Sequence, residues 1–160
     1  MMVSDRNIFS FPGQSCSPER VREIEHNIGF ELPPKYAELV QSGCCGLVHP
    51  DYAHIKGNSP ETDDHLVKVL FGNGFGGPSQ SYDFNLDSPD EALYIRDEWD
   101  IPNWGALIAL GEGDGATPFL INYSNRCFPK HSVIFLDIES DIQELVATSF
   151  SDFWNLFQQN

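Results

Sequence analysis

The stretch WGALIALGEGDGATPFLINYS, residues 104–124, constrains this chain more than any other. Two apolar runs, "ALIAL" and "PFLI", flank a Gly-Asp-Gly turn signal, and such runs around a tight turn form an antiparallel hairpin. After the loop "NRCFPKH" comes "SVIFLDIE", a third strand, which extends the hairpin into a meander. The continuity of "ALIAL" and "VIFL" implies strands buried on at least one face. A sheet with a buried apolar face must be covered by another layer of structure.

Three capped, amphipathic segments supply that cover. In "SPERVREIEHNIG", Ser17 caps, Pro18 stands at the first helical position, Val21, Ile24 and Ile28 form one face, and Gly29 ends the turn. "ELPPKYAELVQSG" starts with two prolines. Pro34 presets the first-turn backbone angle and Pro33 forces Leu32 into an extended form, so the chain turns a sharp corner between two helices. At the C-terminal end, Ser149 caps a helix whose apolar positions Phe150, Phe153, Trp154 and Phe157 follow helical spacing. Helices are expected near 17–28, 34–42 and 149–158.

Between these landmarks, residues 1–15 read as a loose N-terminal arm and residues 43–64 as irregular and turn-rich. "HLVKVLFG" reads as one strand and "GNGFGGPSQSYDFN" as a loop. "SPDEALYIRDEW" reads as a helix with Ser88 capping, Pro89 in the first position and Glu91 three residues after the cap. The expected architecture is a single α+β domain over residues 16–160. A mainly antiparallel sheet is flanked by an N-terminal helix pair and a C-terminal helix.

Charge narrows the function. Twenty-four acidic residues face nine basic ones, a net charge of −15 with a pI near 4.4. Such a surface repels phosphate backbones and anionic lipid, which disfavours nucleic-acid and membrane partners and favours a basic protein partner. No stretch approaches the ~20 apolar residues of a membrane span. The N-terminal "MMVSDRNIFSF" lacks the basic and apolar regions of a signal peptide. The four cysteines, two of them adjacent, do not form a disulfide pattern, which fits a reducing cytoplasm.

Sites for chemistry are weak. Cys44, Cys45, His49, His54 and His65 fall in one stretch, but their spacing is not the C-x2-C that lets two thiolates share a zinc ion. A thiolate at Cys44 or Cys45 paired with His49 is disfavoured by the helix C-terminus just before it, whose partial negative charge raises a thiol pKa. "GNGFGG" lacks the Lys-Ser/Thr of a phosphate loop. No metal, cofactor or catalytic residue is expected.

In order and spacing, four segments resemble the SUKH superfamily of yeast cell-wall-synthesis regulators and bacterial immunity proteins. "IEHNIGFELPPKYAELVQSGCCG" is similar to the family's opening helix pair, and "ALIALGEGDGATPFLINYS" to its central hairpin. "SVIFLDIE" is similar to the following strand and "LVATSFSDFWNLF" to its closing helix. The resemblance implies a binder and not a catalyst. Most bacterial members are thought to neutralise a toxin domain, often a nuclease or deaminase. A smaller set acts as intracellular regulatory or scaffold modules, the alternative reading for this chain.

The acidity is concentrated. Residues 61–100 hold ten acids against two bases, −8 of the −15. An acidic face of this kind complements the basic substrate cleft expected of a nuclease. The interface candidates are Asp63, Asp64, Asp83, Asp87, Asp97, Glu98 and Asp100, with Glu112 and Asp114 from the hairpin. Phe75, Tyr94, Trp99 and Trp104 are further aromatics within or beside this part. Tyr82 and Phe84, which flank Asp83 in the expected loop, are the preferred exposed anchors.

Overall fold

The computed structural model describes residues 5–57, 64–76 and 82–157. After a 3-10 turn at Asp5–Ile8, the chain runs through β1 (Phe9–Pro12), α1 (Pro18–Ile28), α2 (Pro34–Gln41), β2 (Gly46–Val48), β3 (His54–Ile55), β4 (His65–Leu66) and β5 (Val69–Leu70). Then follow β6 (Phe75–Gly76), β7 (Tyr82–Asp83), α3 (Ala92–Glu98), β8 (Gly105–Gly111), β9 (Asp114–Asn122), β10 (Val133–Asp137), β11 (Ile142–Ala147) and α4 (Phe150–Leu156). Seven strands make one antiparallel sheet in the order β1-β2-β5-β8-β9-β10-β11, and β3–β4 and β6–β7 are separate two-stranded ribbons. This is the α+β domain with a mainly antiparallel sheet that the sequence implies.

The helix ends follow their local chemistry. The Ser17 side chain accepts from the Arg20 amide at 3.2 Å, and Gly29 closes α1 at φ 83°, in the left-handed region that glycine enters without strain. Pro33 and Pro34 start α2 with no side-chain cap, because proline's missing donor falls where no partner exists. Ser149 accepts from the Asp152 amide at 3.1 Å and starts α4. Tyr36 of α2, fully buried, stacks on Phe150 of α4 at 4.3 Å and donates its hydroxyl to the Phe71 carbonyl at 2.6 Å. That hydrogen bond satisfies the one polar atom of a buried ring and ties the helix pair to the sheet.

Register separates the two faces of the sheet. Gly46, Leu70, Ala109 and Phe119 oppose one another across β2, β5, β8 and β9, and so share a face. Phe119 meets Phe153 of α4, with ring centroids 5.8 Å apart, so this face carries α4. Leu47, Val69 and Leu110 form the neighbouring row, and side chains alternate along a strand. That row therefore faces away from α4.

Several elements differ from the expectation. The described part of the N-terminal arm is docked and not loose. Ile8 and Phe9 are buried, Phe9 packs on Trp154, and the Ile8 carbonyl accepts from the His49 amide at 2.7 Å. Residues 43–64 contribute β2 and β3, which are too short to show a periodicity. "HLVKVLFG" is two strands in two sheets. The Val67 amide pairs with Ala53 and the Lys68 amide with Leu110, so the chain changes partner between them. The glycine-rich loop contributes the β6–β7 ribbon. β11, which the sequence reading passes over, pairs along β10 at the sheet edge.

α3 begins at Ala92, three residues later than expected. Ser88 Oγ accepts from the Asp90 and Glu91 amides and donates to Asp83 at 2.6 Å, so it caps a turn and not the helix.

Candidate functional site

The reverse face of the sheet and the segment around α3 enclose a cleft of about 340 Å³. Val69 and Leu110 form its apolar floor, Ile95 of α3 is a wall, and Asp83, Glu91, Asp114 and Lys68 are its polar groups. Three carboxylates and one ammonium over an apolar surface give the cleft a negative rim.

Each carboxylate is held differently. Asp83 accepts from the Asn85 amide at 3.0 Å, from Asn85 Nδ2 at 2.8 Å and from Ser88 Oγ at 2.6 Å, all neutral donors. Asp114 takes Lys68 Nζ at 2.7 Å. Glu91 has no ion-pair partner among the described residues. Burial pushes its carboxyl above the usual range, and the charges of Asp83, Asp90 and Asp114 push the same way.

The other predicted interface residues are dispersed. Asp97 and Asp100 line a separate depression of about 440 Å³ beside Phe30 and Pro102, and Glu98 is exposed on the same helix end. Glu112 is exposed at the turn of the β8–β9 hairpin. Asp64 is exposed and accepts from the Gly57 amide at 3.3 Å. Asp63 and the Tyr82 side chain lie outside what the structure describes.

Two predicted residues have structural roles instead. Phe84 is 2 % exposed and belongs to the core, which corrects the expectation of an exposed anchor. Its backbone pairs with Gly72 and Gly74, and this pairing turns the ring inward from what the sequence presents as a loop. Asp87 binds Arg20 of α1 through two contacts, at 2.8 and 2.9 Å, and accepts from Asn27 at 2.8 Å. It clamps the acidic segment to α1 rather than reaching outward. Burial raises its carboxyl, but the Arg20 and Asn27 hydrogen bonds and the Arg20 charge outweigh that and leave it below the usual range.

Among the described residues, the exposed aromatics of the segment are Tyr94 (56 %), Phe75 (47 %) and Trp99 (36 %), while Trp104 is half-buried against the core. Tyr94 and Trp99 share α3 and its end with Asp97 and Glu98. Glu91 stands just before α3 and outside its helical backbone, so no helical period in the sequence places it at the cleft.

The cysteine–histidine stretch does not converge. Cys44 and Cys45 are buried, His49 is half-buried, His54 is exposed, and His65 lies between Phe119 and Phe135 with Nε2 3.1 Å from Glu144. Cys45 Sγ accepts from the Asn73 amide at 3.3 Å, and burial pushes its thiol up to about 12. A thiol so placed is not a nucleophile at neutral pH. Among the described residues, no group of three or more His, Cys, Asp or Glu side chains is arranged to hold a metal ion. No helix among them is long and apolar enough to cross a membrane.

A search of curated proteins returned no match. The family model described as SMI1 / KNR4 family (SUKH-1) matches residues 15–156, a span that takes in α1 to α4 and the sheet from β2 to β11.

Proposed function

We propose that this chain, which belongs to the SMI1 / KNR4 (SUKH-1) family, is a non-catalytic immunity protein that binds and neutralises a toxin domain with a basic, nuclease-type surface. Family membership supports a binding or immunity-type module in general. The observation that carries the finer reading is the surface of α3. Exposed Tyr94 and Trp99 stand beside Asp97 and Glu98, next to a cleft rimmed by Asp83, Glu91 and Asp114. Exposed aromatics provide anchoring area, and carboxylates around them steer a basic partner into contact. A nuclease needs a basic cleft to hold its substrate, and an acidic surface of this shape occludes it by occupying the same charges.

The role requires no chemistry from the chain. A toxin that acts on nucleic acid must be met where its substrate is, so the proposed site of action is the cytoplasm. The four cysteines, whose spacing is not that of a disulfide framework, fit that compartment.

The test is co-expression with a toxin domain encoded beside this gene. The wild-type chain should restore growth and co-elute with the toxin, while a variant carrying Asp97→Lys and Glu98→Lys should protect less. Undiminished killing with the wild-type chain present, and no complex on gel filtration, would reject the immunity role.

A further inference from the structure

We propose that the cleft between α3 and the reverse face of the sheet receives an arginine or lysine side chain from a loop of the protein partner. The cationic head would lie against Glu91 and Asp83, and the aliphatic stem along Val69, Leu110 and Ile95. This deepens the reading above and rests on it only for the identity of the partner.

The floor comes from strand register. Leu47, Val69 and Leu110 are direct cross-strand partners on β2, β5 and β8, so their side chains form one continuous row on the face turned away from α4. Leu47 and Lys68 line both this cleft and an adjoining apolar depression of about 470 Å³ near Pro50 and His54. The row therefore runs from an apolar end to an acidic end. An occupant that matches both ends is a segment with an apolar side chain beside a basic one.

Charge complementarity selects the cation. Asp83, Glu91 and Asp114 outnumber Lys68, which is already engaged by Asp114 at 2.7 Å. Neither Asp83 nor Glu91 has an ion-pair partner among the described residues. Asp83 is immobilised by three hydrogen bonds from Asn85 and Ser88, so its carboxylate is set in place before any partner arrives. A long side chain with a charged tip suits such a site, because its methylene stem buries on apolar surface while the head meets the carboxylates. An anionic or wholly apolar segment would leave Glu91 and Asp83 desolvated without a counter-charge.

The experiment needs no toxin. The probe is the capped tetrapeptide acetyl-Gly-Leu-Arg-Gly-amide, titrated into the isotope-labelled full chain and followed by methyl and amide shifts. The expected result is saturable shifts at Leu47, Val69, Leu110, Ile95 and Glu91. Replacing the peptide arginine by glutamine should weaken binding by about tenfold, as loss of a charge-assisted contact does. Glu91→Gln in the protein should weaken the arginine peptide by about fivefold and leave the glutamine peptide unaffected. Equal binding of both peptides, or shifts confined to other surfaces, would overturn the cleft assignment. So would concentration-dependent dimerisation that broadens these same signals without peptide, because the occupant would then be a second copy. If the peptide binds as expected and co-expression gives no protection, the cleft stands and the immunity role fails. If protection is seen and Glu91→Gln protects as well as wild type with no peptide binding, the reverse holds.

Discussion

Arg20 on α1 and Asp87 in the turn before α3 meet in a two-pronged ion pair, with Nη2–Oδ1 at 2.8 Å and Nη1–Oδ2 at 2.9 Å. The same guanidinium donates to Asn73 Oδ1 at 2.9 Å and Asn85 Oδ1 at 3.1 Å, and contacts Glu23 on its own helix. One side chain thus fastens the acidic segment to the helix layer in three places. Asp87 is nearly covered at 7 % side-chain exposure, so the pair is not an ordinary surface bridge.

Replacing Asp87 by Asn should cost about 1.5–3 kcal/mol, the usual range for a hydrogen bond to a charged group. Urea denaturation at pH 7 measures it. Because the folded carboxyl lies below its ordinary value, the stabilisation is fully present above about pH 4 and is lost as pH falls through the lower folded value. The gap between wild type and Asp87→Asn should therefore narrow on acidification below about pH 4. A gap constant down to about pH 2 would show that the pair is not the source.

Glu91 works in the opposite sense. Its folded carboxyl is raised, so ionisation opposes folding as pH rises through and above the ordinary carboxylate range. Glu91→Gln should match or slightly exceed wild-type stability at pH 7, and the advantage should disappear below about pH 4. Thermal melts at several pH values read this directly, and a Glu91→Gln protein less stable at pH 7 would contradict it.

Phe84 and Tyr94 should behave as opposites. Phe84→Ala removes a core side chain and should cost about 3–5 kcal/mol. Tyr94→Ala changes an exposed side chain, should shift stability by less than about 0.5 kcal/mol and, if the partner docks on α3, should speed dissociation. Parallel denaturation and dissociation measurements distinguish the two.

Reversing Asp97 and Glu98 to Lys should slow association with a basic partner by about tenfold at low salt, with the difference shrinking as salt screens exposed charges beyond about 10 Å at 0.1 M. Circular dichroism should be unchanged. Wild-type association rates across the salt series would move the interface away from α3.

Alkylation should separate the thiols. Exposed Cys127 should react with iodoacetamide in the native protein, and buried Cys45, pushed up to about 12, should react only after unfolding. Mass spectrometry of timed digests reads both sites.

Features carried by neighbours along the chain were readable from the residues alone. The caps at Ser17 and Ser149, the prolines opening α2, the apolar faces of α1 and α4 and the β8–β9 hairpin were all legible. Each depends on residues within a turn or two of one another. The acidic excess of residues 61–100 was equally plain. How those acids are used depended on contacts between distant parts of the chain. Asp87 became a clamp because Arg20, 67 positions away, was brought against it, whereas Asp83, Glu91 and Asp114 were gathered around a floor made by β2, β5 and β8. The two- and three-residue strands β2 to β5 carry too few residues for any period to show, and long-range backbone pairing alone defines them. Phe84 looked exposed beside its polar and glycine-rich neighbours. Its pairing to Gly72 and Gly74 put the ring inside, because a strand's alternation has no inward direction until the sheet supplies a core for it to face.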